Sequence, residues 1–378
     1  MNAPAPGNTA SPGRPSLNVL RLCIIGGSPG HPGGLEAFCD RALEAFRLHA
    51  TDVVVAHFPT EAAYVGQRGF GAMRRCAAAL IGRRRDYDVA WVHVSSLAEC
   101  LFVPLARLLG WRVLVTPHLG ATSRQETRGL IRRLRLALMG RAHGVGLLFA
   151  GQDAEISLPS KLPRRVIGTF LPSEAFALET APPVPGRPLH LIHAARFSEA
   201  KGTFLMLDLC ARLREAHVPF SARLIGRADD ATMAEIARRI AAARMSDQVT
   251  ITDWLDAKGI AAALRDADVL VHLSSIDSFP LIVLEALAAG TLPIVRPMSG
   301  SLSMVRKFGG FCAGQTEGDS GITADPVSEA FAWLTAADLA ELRREGSAAA
   351  ERTRAAYSWP GVVAKARAAL ADVCRGSR

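Results

Sequence analysis

Several classes of protein are disfavoured by what the 378-residue sequence lacks. It has no run of 18 uncharged apolar residues, and the nearest candidate, residues 101–115, is interrupted by Arg107 and Arg112, so we expect no membrane-spanning helix. Its seven cysteines, none in Cys-x2-Cys spacing, disfavour a disulfide framework and a zinc site. Aromatic residues make up only 6%, and the arginines lack interleaved aromatics, so we predict no nucleic-acid partner.

The positive charge is concentrated in the first half of the chain. Of the net charge of +9, residues 1–180 carry +8, with 21 Lys and Arg against 13 Asp and Glu. An anionic partner, such as a phospholipid surface or a phosphorylated acceptor, explains this asymmetry. A high arginine usage that keeps the protein in solution explains it equally, and the sequence leaves both explanations open.

Residues 123–139 form a basic segment with the pattern of an amphipathic helix. Ser123 and Glu126 have the spacing of a capping box at its start. Such a helix either lies in an anionic membrane interface or packs its leucines on the sheet and leaves its arginines in solvent. Because the cysteines indicate a reducing compartment, we expect a cytoplasmic protein, with the inner face of the membrane as a candidate peripheral site for this helix. The arginines that would contact an anionic surface are Arg124, Arg128, Arg132, Arg133 and Arg135.

Short apolar runs alternate with amphipathic helical segments along the chain, a pattern typical of a parallel sheet with helices on both faces. The alternation restarts after a proline-rich segment, so we predict an α/β fold with two Rossmann-like, doubly wound domains. In the first half we predict strands at 18–26, 53–58, 89–94 and 112–116 and a helix at 35–48. In the second half we predict strands at 189–194, 221–225, 248–251, 269–273 and 291–296 and helices at 204–215, 231–243 (capped by Asp230) and 280–289. The predicted parts are a disordered tail (1–16), a first domain (17–180), a linker (181–188), a second domain (189–345) and a final helical segment (346–378).

The most specific chemical pattern lies in residues 274–290, where a predicted strand leads through a short loop into a helix. Asp277 lies in the loop and Glu285 in the helix, with seven residues between them. We expect Ser278 to cap the helix and Pro280 to lie in its first turn. The free amides of such a helix start favour an anionic ligand, and the two carboxylates can accept hydrogen bonds from sugar hydroxyls.

Three further segments add candidate site residues. Arg196 and Lys201 follow the first strand of the second domain, where two cations can neutralise an anionic group. His118 ends a strand of the first domain, and Gly33-Gly34 precede its first helix. Pro29, Pro32 and the spacing of the glycines disfavour a dinucleotide-binding loop there, and no Gly-Lys-Ser/Thr of a P-loop occurs.

Together these segments resemble the family-4-like retaining glycosyltransferases of the GT-B fold, also described as glycosyl transferases group 1. Asp277 and Glu285 resemble the two acids of the family's Glu-x7-Glu signature, and Arg196 and Lys201 resemble its Gly-Arg-x4-Lys-Gly element. The resemblance covers nearly the whole chain after the tail, and Tyr357-Ser358-Trp359 resembles the family's carboxyl-terminal pattern. It implies two domains that face each other across a cleft, with the last helix crossing back to the first domain.

The resemblance also implies a role for each site residue. A sugar would move from an NDP-sugar to an acceptor hydroxyl with retention, in the setting of cell-envelope or exopolysaccharide assembly. Arg196 and Lys201 would stabilise the leaving diphosphate without a metal, and no other cofactor is expected. Asp277 and His118 would position the sugar, and Glu285 would hold the ribose. The remaining donor-binding residues would be Gly33, Gly34, Phe279, Pro280 and Leu281, with Trp254 and Leu255 beside the base.

The sequence departs from the family pattern, and the departures keep two alternatives open. Asp277 and Ser278 stand where the family has Glu and Gly, and Ala195 replaces the Gly before the arginine. A sugar-nucleotide-binding protein with impaired catalysis is one alternative. An NDP-sugar 2-epimerase would need several acids and histidines near the sugar, of which His118 and Glu36 are present. The Asp-x-Asp tripeptides at 86–88 and 266–268 precede strands, so we interpret them as turn residues and predict no metal site.

Overall fold

The computed structural model describes residues 19–28, 33–62, 70–120, 129–159, 161–177, 187–314 and 325–375. These residues form two six-stranded parallel sheets with helices packed on them, so the α/β fold with two Rossmann-like domains is confirmed. The predicted tail at 1–16 and most of the predicted linker lie outside the described residues.

The first sheet is built from strands between residues 20 and 166, and its central strands are buried on both faces. Its strands are β1 (Leu20–Ile25), β2 (Val53–Phe58), β3 (Val89–Val94), β4 (Arg112–Pro117), β5 (Gly144–Leu147) and β6 (Arg164–Val166). They lie in the order β2-β1-β3-β4-β5-β6, with every pairing parallel. All six residues of β3 are buried, as expected for a central parallel strand that helices cover on both sides.

Helices join these strands in the first domain. They are α1 (Gly34–His49), α2 (Gly71–Gly82), α3 (Leu97–Cys100), α4 (Phe102–Leu108), α5 (Leu130–Met139), α6 (Gln152–Ile156) and α7 (Glu174–Ala177). One face of the sheet packs with α1 around Phe38, Phe46 and Trp91, and the other packs with α4 around Phe102 and Trp111. The carboxyl ends of the strands thus share one edge with the beginning of α1.

The second sheet repeats this arrangement between residues 189 and 312. Its strands are β7 (Leu189–Ala194), β8 (Phe220–Ile225), β9 (Val249–Thr252), β10 (Val269–His272), β11 (Leu292–Val295) and β12 (Phe311–Cys312). They lie in the order β12-β11-β10-β7-β8-β9. The helices are α8 (Thr203–Glu215), α9 (Asp230–Ala242), α10 (Ala257–Arg265), α11 (Leu281–Ala289), α12 (Ser299–Phe308), α13 (Pro326–Ala336), α14 (Leu339–Ala356) and α15 (Trp359–Arg375). The strand order reverses between β7 and β10, and this topological switch point creates the crevice in which ligands of such sheets bind.

The last helix, α15, packs against the first domain although the chain has just left the second. Val362, Ala366 and Leu370 are buried in the same apolar cluster as Leu22 of β1. The Trp359 indole Nε1 donates a hydrogen bond to the Leu171 carbonyl at 2.8 Å. This crossing gives the two domains a second covalent connection besides the segment near residue 187.

The described basic helix begins later than the predicted one, and its first half does not pack on the sheet. The described helix α5 begins at Leu130 because Gly129 before it has φ 71°, which is not a helical conformation. The expected first turn with Ser123, Arg124, Glu126 and Arg128 lies outside the described residues. The side chains of Leu130, Ile131 and Leu134 are 80%, 48% and 45% exposed, whereas Arg135 is buried. Of the two alternatives for this helix, packing of its leucines on the sheet therefore does not hold for its first half.

Three aspartates away from the cleft, Asp88, Asp268 and Asp229, have structural partners. Asp88 pairs with Arg21, and the buried Asp268 accepts hydrogen bonds from Arg187 and Arg343 at 2.8 Å each. Asp229, not the predicted Asp230, caps α9 by accepting from the Thr232 amide at 2.8 Å.

The seven cysteines are free thiols. No helix in the described part of the chain is long and apolar enough to cross a membrane.

Candidate active site

A cavity of about 920 Å3 lies between the two domains at the carboxyl edges of their sheets. The first domain lines it with the loop after β1 and with the first two turns of α1. The second domain lines it with the loops that follow β7, β9 and β10 and with the start of α11. The site residues predicted from sequence that line it are Gly33, Gly34, Arg196, Lys201, Trp254, Leu255, Asp277, Phe279, Pro280, Leu281 and Glu285.

The loop after β7 is held directly against the loop after β10. The Ala200 carbonyl accepts hydrogen bonds from the Ser275 amide at 2.9 Å and from the Ser275 hydroxyl at 3.2 Å. Gly202 permits this contact, since its φ is 77° and a Cβ there would lie 2.6 Å from the Leu273 carbonyl oxygen. The cation-bearing and acid-bearing loops are therefore fixed relative to each other by backbone geometry.

The buried His193 supports the loop after β7 through a chain of hydrogen bonds. His193 Nδ1 donates to the Val271 carbonyl at 2.9 Å, so its Nε2 accepts the Thr203 hydroxyl at 3.1 Å. The Thr203 oxygen in turn accepts from the Ser198 amide at 3.1 Å. Burial lowers the pKa of His193 to about 4, which keeps the ring neutral and this chain of hydrogen bonds intact at neutral pH.

Asp277 is bound on both carboxylate oxygens by residues of its own domain. Lys201 Nζ donates to Oδ1 at 2.5 Å, and His272 Nε2 lies 3.1 Å from Oδ2. Burial raises the pKa of Asp277, but the hydrogen bonds and charges of His272 and Lys201 outweigh it and hold that pKa well below its usual range. The side chain is therefore a carboxylate, and it lies between the ammonium group of Lys201 and the imidazole ring of His272.

His272 is a site residue that sequence reasoning missed. It is the last residue of β10, is 4% exposed, and lines the cavity. Its Nδ1 is buried and has no hydrogen-bond partner among the described residues. In the sequence, the indication of a site residue here is a histidine at a strand end, five residues before the loop aspartate. An apolar strand position was the simpler interpretation of that residue, so the pattern alone did not select it.

Glu285 is paired across the cleft with a residue of the first domain. Arg41 Nη2 donates to Glu285 Oε1 at 2.8 Å, and Arg41 Nη1 donates to the Phe170 carbonyl at 3.2 Å. Both side chains are mostly buried, with 16% and 15% exposed. Arg41 was also missed, because nothing in a single sequence connects two residues that lie 244 positions apart.

The start of α11 differs from the predicted capping arrangement. Pro280 occupies the N-cap position, and no side chain caps the helix there. Ser278 instead faces the first domain, since a Cβ built on Gly120 would lie 1.6 Å from the Ser278 hydroxyl oxygen. Phe279 stacks on Phe149 of the first domain with ring centroids 5.5 Å apart. The loop before α11 is thus shaped by contact between the domains and not by a local cap.

His118 and Trp254, both predicted site residues, differ in their position relative to the cavity. His118 does not line the cavity, and its Nε2 lies 3.1 Å from Nδ1 of the buried His93. Burial lowers the pKa of His118 to about 3, so this histidine pair is uncharged at neutral pH. Trp254, by contrast, is 46% exposed and lines the cavity beside Leu255, where an aromatic surface is open to a planar ligand.

The arrangement suits a ligand that carries both an anionic group and hydroxyl groups. Arg196 is exposed at the cavity beside Lys201, and the carboxylates of Asp277 and Glu285 line the same space. Guanidinium and ammonium groups bind phosphate, whereas carboxylates accept hydrogen bonds from hydroxyls. Among the described residues there is no group of three His, Cys, Asp or Glu that could hold a metal ion.

Comparison with known proteins agrees with this geometry. The model of the family Glycosyl transferases group 1 matches residues 178–330. A D-inositol 3-phosphate glycosyltransferase of Arthrobacter sp. (strain FB24) is 34% identical over 122 residues, which are 32% of this chain and 29% of the relative. A putative colanic acid biosynthesis glycosyltransferase, WcaL, of Escherichia coli (strain K12) is 27% identical over 124 residues, 31% of this chain and 30% of that protein. The matches thus span under a third of these relatives.

A solved structure extends the likeness of fold to most of the chain. The Anabaena protein HepE, in complex with UDP, superposes with a TM-score of 0.69 at 15% identity, covering 93% of this chain and all of that one. At this identity the superposition shows the shared two-domain fold. Residues 178–330 are thus similar to the glycosyl transferases group 1 family, and the two domains have the GT-B fold.

Proposed function

We propose that the chain transfers a hexose-type sugar from an NDP-sugar to an acceptor hydroxyl with retention of the anomeric configuration. The observation that carries the proposal is the convergence of Arg196, Lys201, Asp277 and Glu285 on one cavity between two domains. The segment similar to the group 1 family includes all four residues. The complex of HepE with UDP supports a nucleotide donor, and WcaL supports a setting in glycan assembly.

The proposed chemistry needs charge stabilisation more than a protein base. The bond from the anomeric carbon to the diphosphate oxygen breaks, and the negative charge that develops there is stabilised by Arg196 and Lys201. The acceptor oxygen forms the new bond to the same carbon, and its proton passes to the leaving phosphate oxygen. Glu285 accepts hydrogen bonds from the ribose, and Asp277 holds Lys201 in place beside the sugar. We propose that no metal takes part.

The proposal predicts donor-dependent release of a nucleoside diphosphate. UDP-, GDP- and ADP-hexoses are incubated with the protein and a panel of hydroxyl-bearing acceptors (sugars, inositol phosphates and lipid-linked sugars), with and without EDTA, and the released diphosphate is measured. We expect one nucleotide series to turn over equally in both conditions. Arg196→Ala and Lys201→Ala should each lower kcat about 100- to 1000-fold, because each removes a cation from the developing charge.

The matched control is Arg223→Ala, which removes an exposed arginine of β8 in the same domain. Its turnover should equal that of the unaltered chain. Absence of diphosphate release with every donor, in a chain that remains folded, would contradict the proposed activity.

A sugar-nucleotide-binding protein with impaired turnover is the second candidate function. The observation that favours it is the contact of Asp277 with both Lys201 and His272, since a carboxylate occupied on both oxygens has less capacity to bind a sugar. Restoring the family's longer acid distinguishes the two candidates.

We expect Asp277→Glu to lower kcat/KM about tenfold. The added methylene displaces the carboxylate, so that at least one of the hydrogen bonds to Lys201 and His272 is lost, and such a bond to a charged group contributes about 1.5 kcal/mol or more. The comparison uses the best donor, with melting temperatures measured in parallel to confirm folding. A large gain in turnover on Asp277→Glu would instead identify the natural chain as the impaired protein.

We further propose that the first domain binds an anionic membrane surface through α5. The observation is the exposed apolar row of Leu130, Ile131 and Leu134 beside the exposed Arg133. Apolar side chains next to cations are the composition of helices that lie in a lipid interface. A lipid-linked acceptor would then meet the cleft at the membrane.

Vesicle flotation tests this surface. We expect the protein to float with phosphatidylcholine vesicles that contain phosphatidylglycerol and to stay at the bottom with phosphatidylcholine alone. The double variant Leu130→Ser/Leu134→Ser should lose most of the floating fraction, because it removes the apolar part of the contact. Ile251→Ser, at an exposed apolar position of the second domain, is the control. Equal behaviour on both kinds of vesicle would contradict the proposal.

A further inference from the structure

The ribose acid assigned above is already part of an ion pair that crosses the cleft. Arg41 belongs to α1 of the first domain, and Glu285 belongs to α11 of the second. The two helices also meet one turn earlier on α11, where a Cβ on Gly34 would lie 3.7 Å from the Leu281 side chain. The pair therefore lies where the two domains approach each other along the cavity wall.

Arg41 is itself held in position by the first domain. Its Nη1 donates to the carbonyl of Phe170, a fully buried residue whose ring packs on Phe38 of α1 at 5.4 Å. With one nitrogen bound to this carbonyl, the other is fixed toward Glu285 Oε1. The arginine thus transmits the position of the first domain to one oxygen of the acid.

The pair leaves the second oxygen of Glu285 available. Arg41 contacts Oε1, and no hydrogen bond to Oε2 occurs among the described residues. A carboxylate has about four lone-pair sites, so one guanidinium nitrogen leaves capacity for the hydroxyls of a ribose. The ion pair with Arg41 and a ribose contact are therefore compatible. The ion pair fixes the orientation of the Glu285 carboxylate that the ribose contact requires.

We infer that Arg41 is a positioning residue for the ribose of the donor nucleotide. It acts through Glu285, and it makes recognition of the ribose hydroxyls depend on the first domain as well as on the second. This inference rests on the proposed function, because it requires that the cavity binds a nucleotide. It extends that function by assigning ribose selectivity to a contact between the domains.

A cycle that combines substitutions of Arg41 with removal of the ribose hydroxyls tests the inference. Isothermal titration calorimetry gives the Kd of UDP, GDP and ADP and of their 2′,3′-dideoxy counterparts. For the nucleotide that the unaltered chain binds best, we expect roughly tenfold tighter binding of the ribonucleotide, as hydrogen bonds to a charged group predict. In Arg41→Ala and in Arg41→Gln this ratio should fall to about one, whereas Arg41→Lys should retain part of it.

The control is Arg47→Ala, which removes an exposed arginine from the last turn of the same helix. It should keep the ratio of the unaltered chain. Melting temperatures confirm folding, and Arg41→Gln preserves the alkyl stem if Arg41→Ala does not fold. A ratio near one only in the Arg41→Ala and Arg41→Gln variants supports the inference.

Three outcomes overturn it or its basis, and they are distinguishable. A ratio unchanged in Arg41→Ala and Arg41→Gln, or equal weakening of both nucleotides, shows that Arg41 does not act on the ribose contact. A ratio of one in the unaltered chain shows that Glu285 does not bind the ribose. Absence of binding by every nucleotide contradicts the proposed function itself.

Discussion

The contact between the loops that follow β7 and β10 is the constraint on which the rest of the site depends. The Ala200 carbonyl receives two hydrogen bonds from Ser275, and Lys201 reaches Asp277 at 2.5 Å. Both loops leave the sheet at its carboxyl edge, where parallel strands bring residues from distant parts of the sequence together. Without this contact, Lys201 would lose the partner that fixes it, and the partly buried carboxylate of Asp277 would keep only its contact with His272.

The contacts between the domains complete the site from the opposite side. The pair of Arg41 with Glu285 and the stacking of Phe279 on Phe149 join the loop and helix after β10 to the first domain. Helix α15 returns the chain from the second domain to the first, where the Trp359 indole donates a hydrogen bond to the Leu171 carbonyl. Both walls of the cavity are thus held by side chains that contribute to the fold and to the site at once.

The sequence predicted those parts of the fold that local patterns determine. The apolar runs of β1, β2, β3 and β4 were placed to within two residues, and the restart of the pattern gave the second sheet. Strand β5 was missed because Gly144-Val145-Gly146-Leu147 is short and half glycine. The charge pattern predicts a basic helix that continues through Gly129, whose non-helical conformation is not visible in that pattern.

The candidate site divides in the same way. The sequence motifs identified Arg196, Lys201, Asp277 and Glu285, and the structure places all four at one cavity. Arg41 and His272 emerge only from tertiary contacts, as does the turn of Ser278 toward Gly120 in place of a helix cap. His118, which the sequence predicts from its strand end, does not line the cavity and contacts His93. A single sequence thus does not predict residues whose role depends on a tertiary contact, within a domain or between the two domains.

Binding of a sugar nucleotide in one orientation in this cavity would be seen directly in an experimental structure of the chain with the nucleoside diphosphate that it binds. We expect the diphosphate within hydrogen-bond distance of Arg196 and Lys201, the ribose hydroxyls on Glu285 and the base beside Trp254. A nucleotide bound outside the cavity, or one that places its base against Asp277 and Lys201, would overturn the proposed donor site.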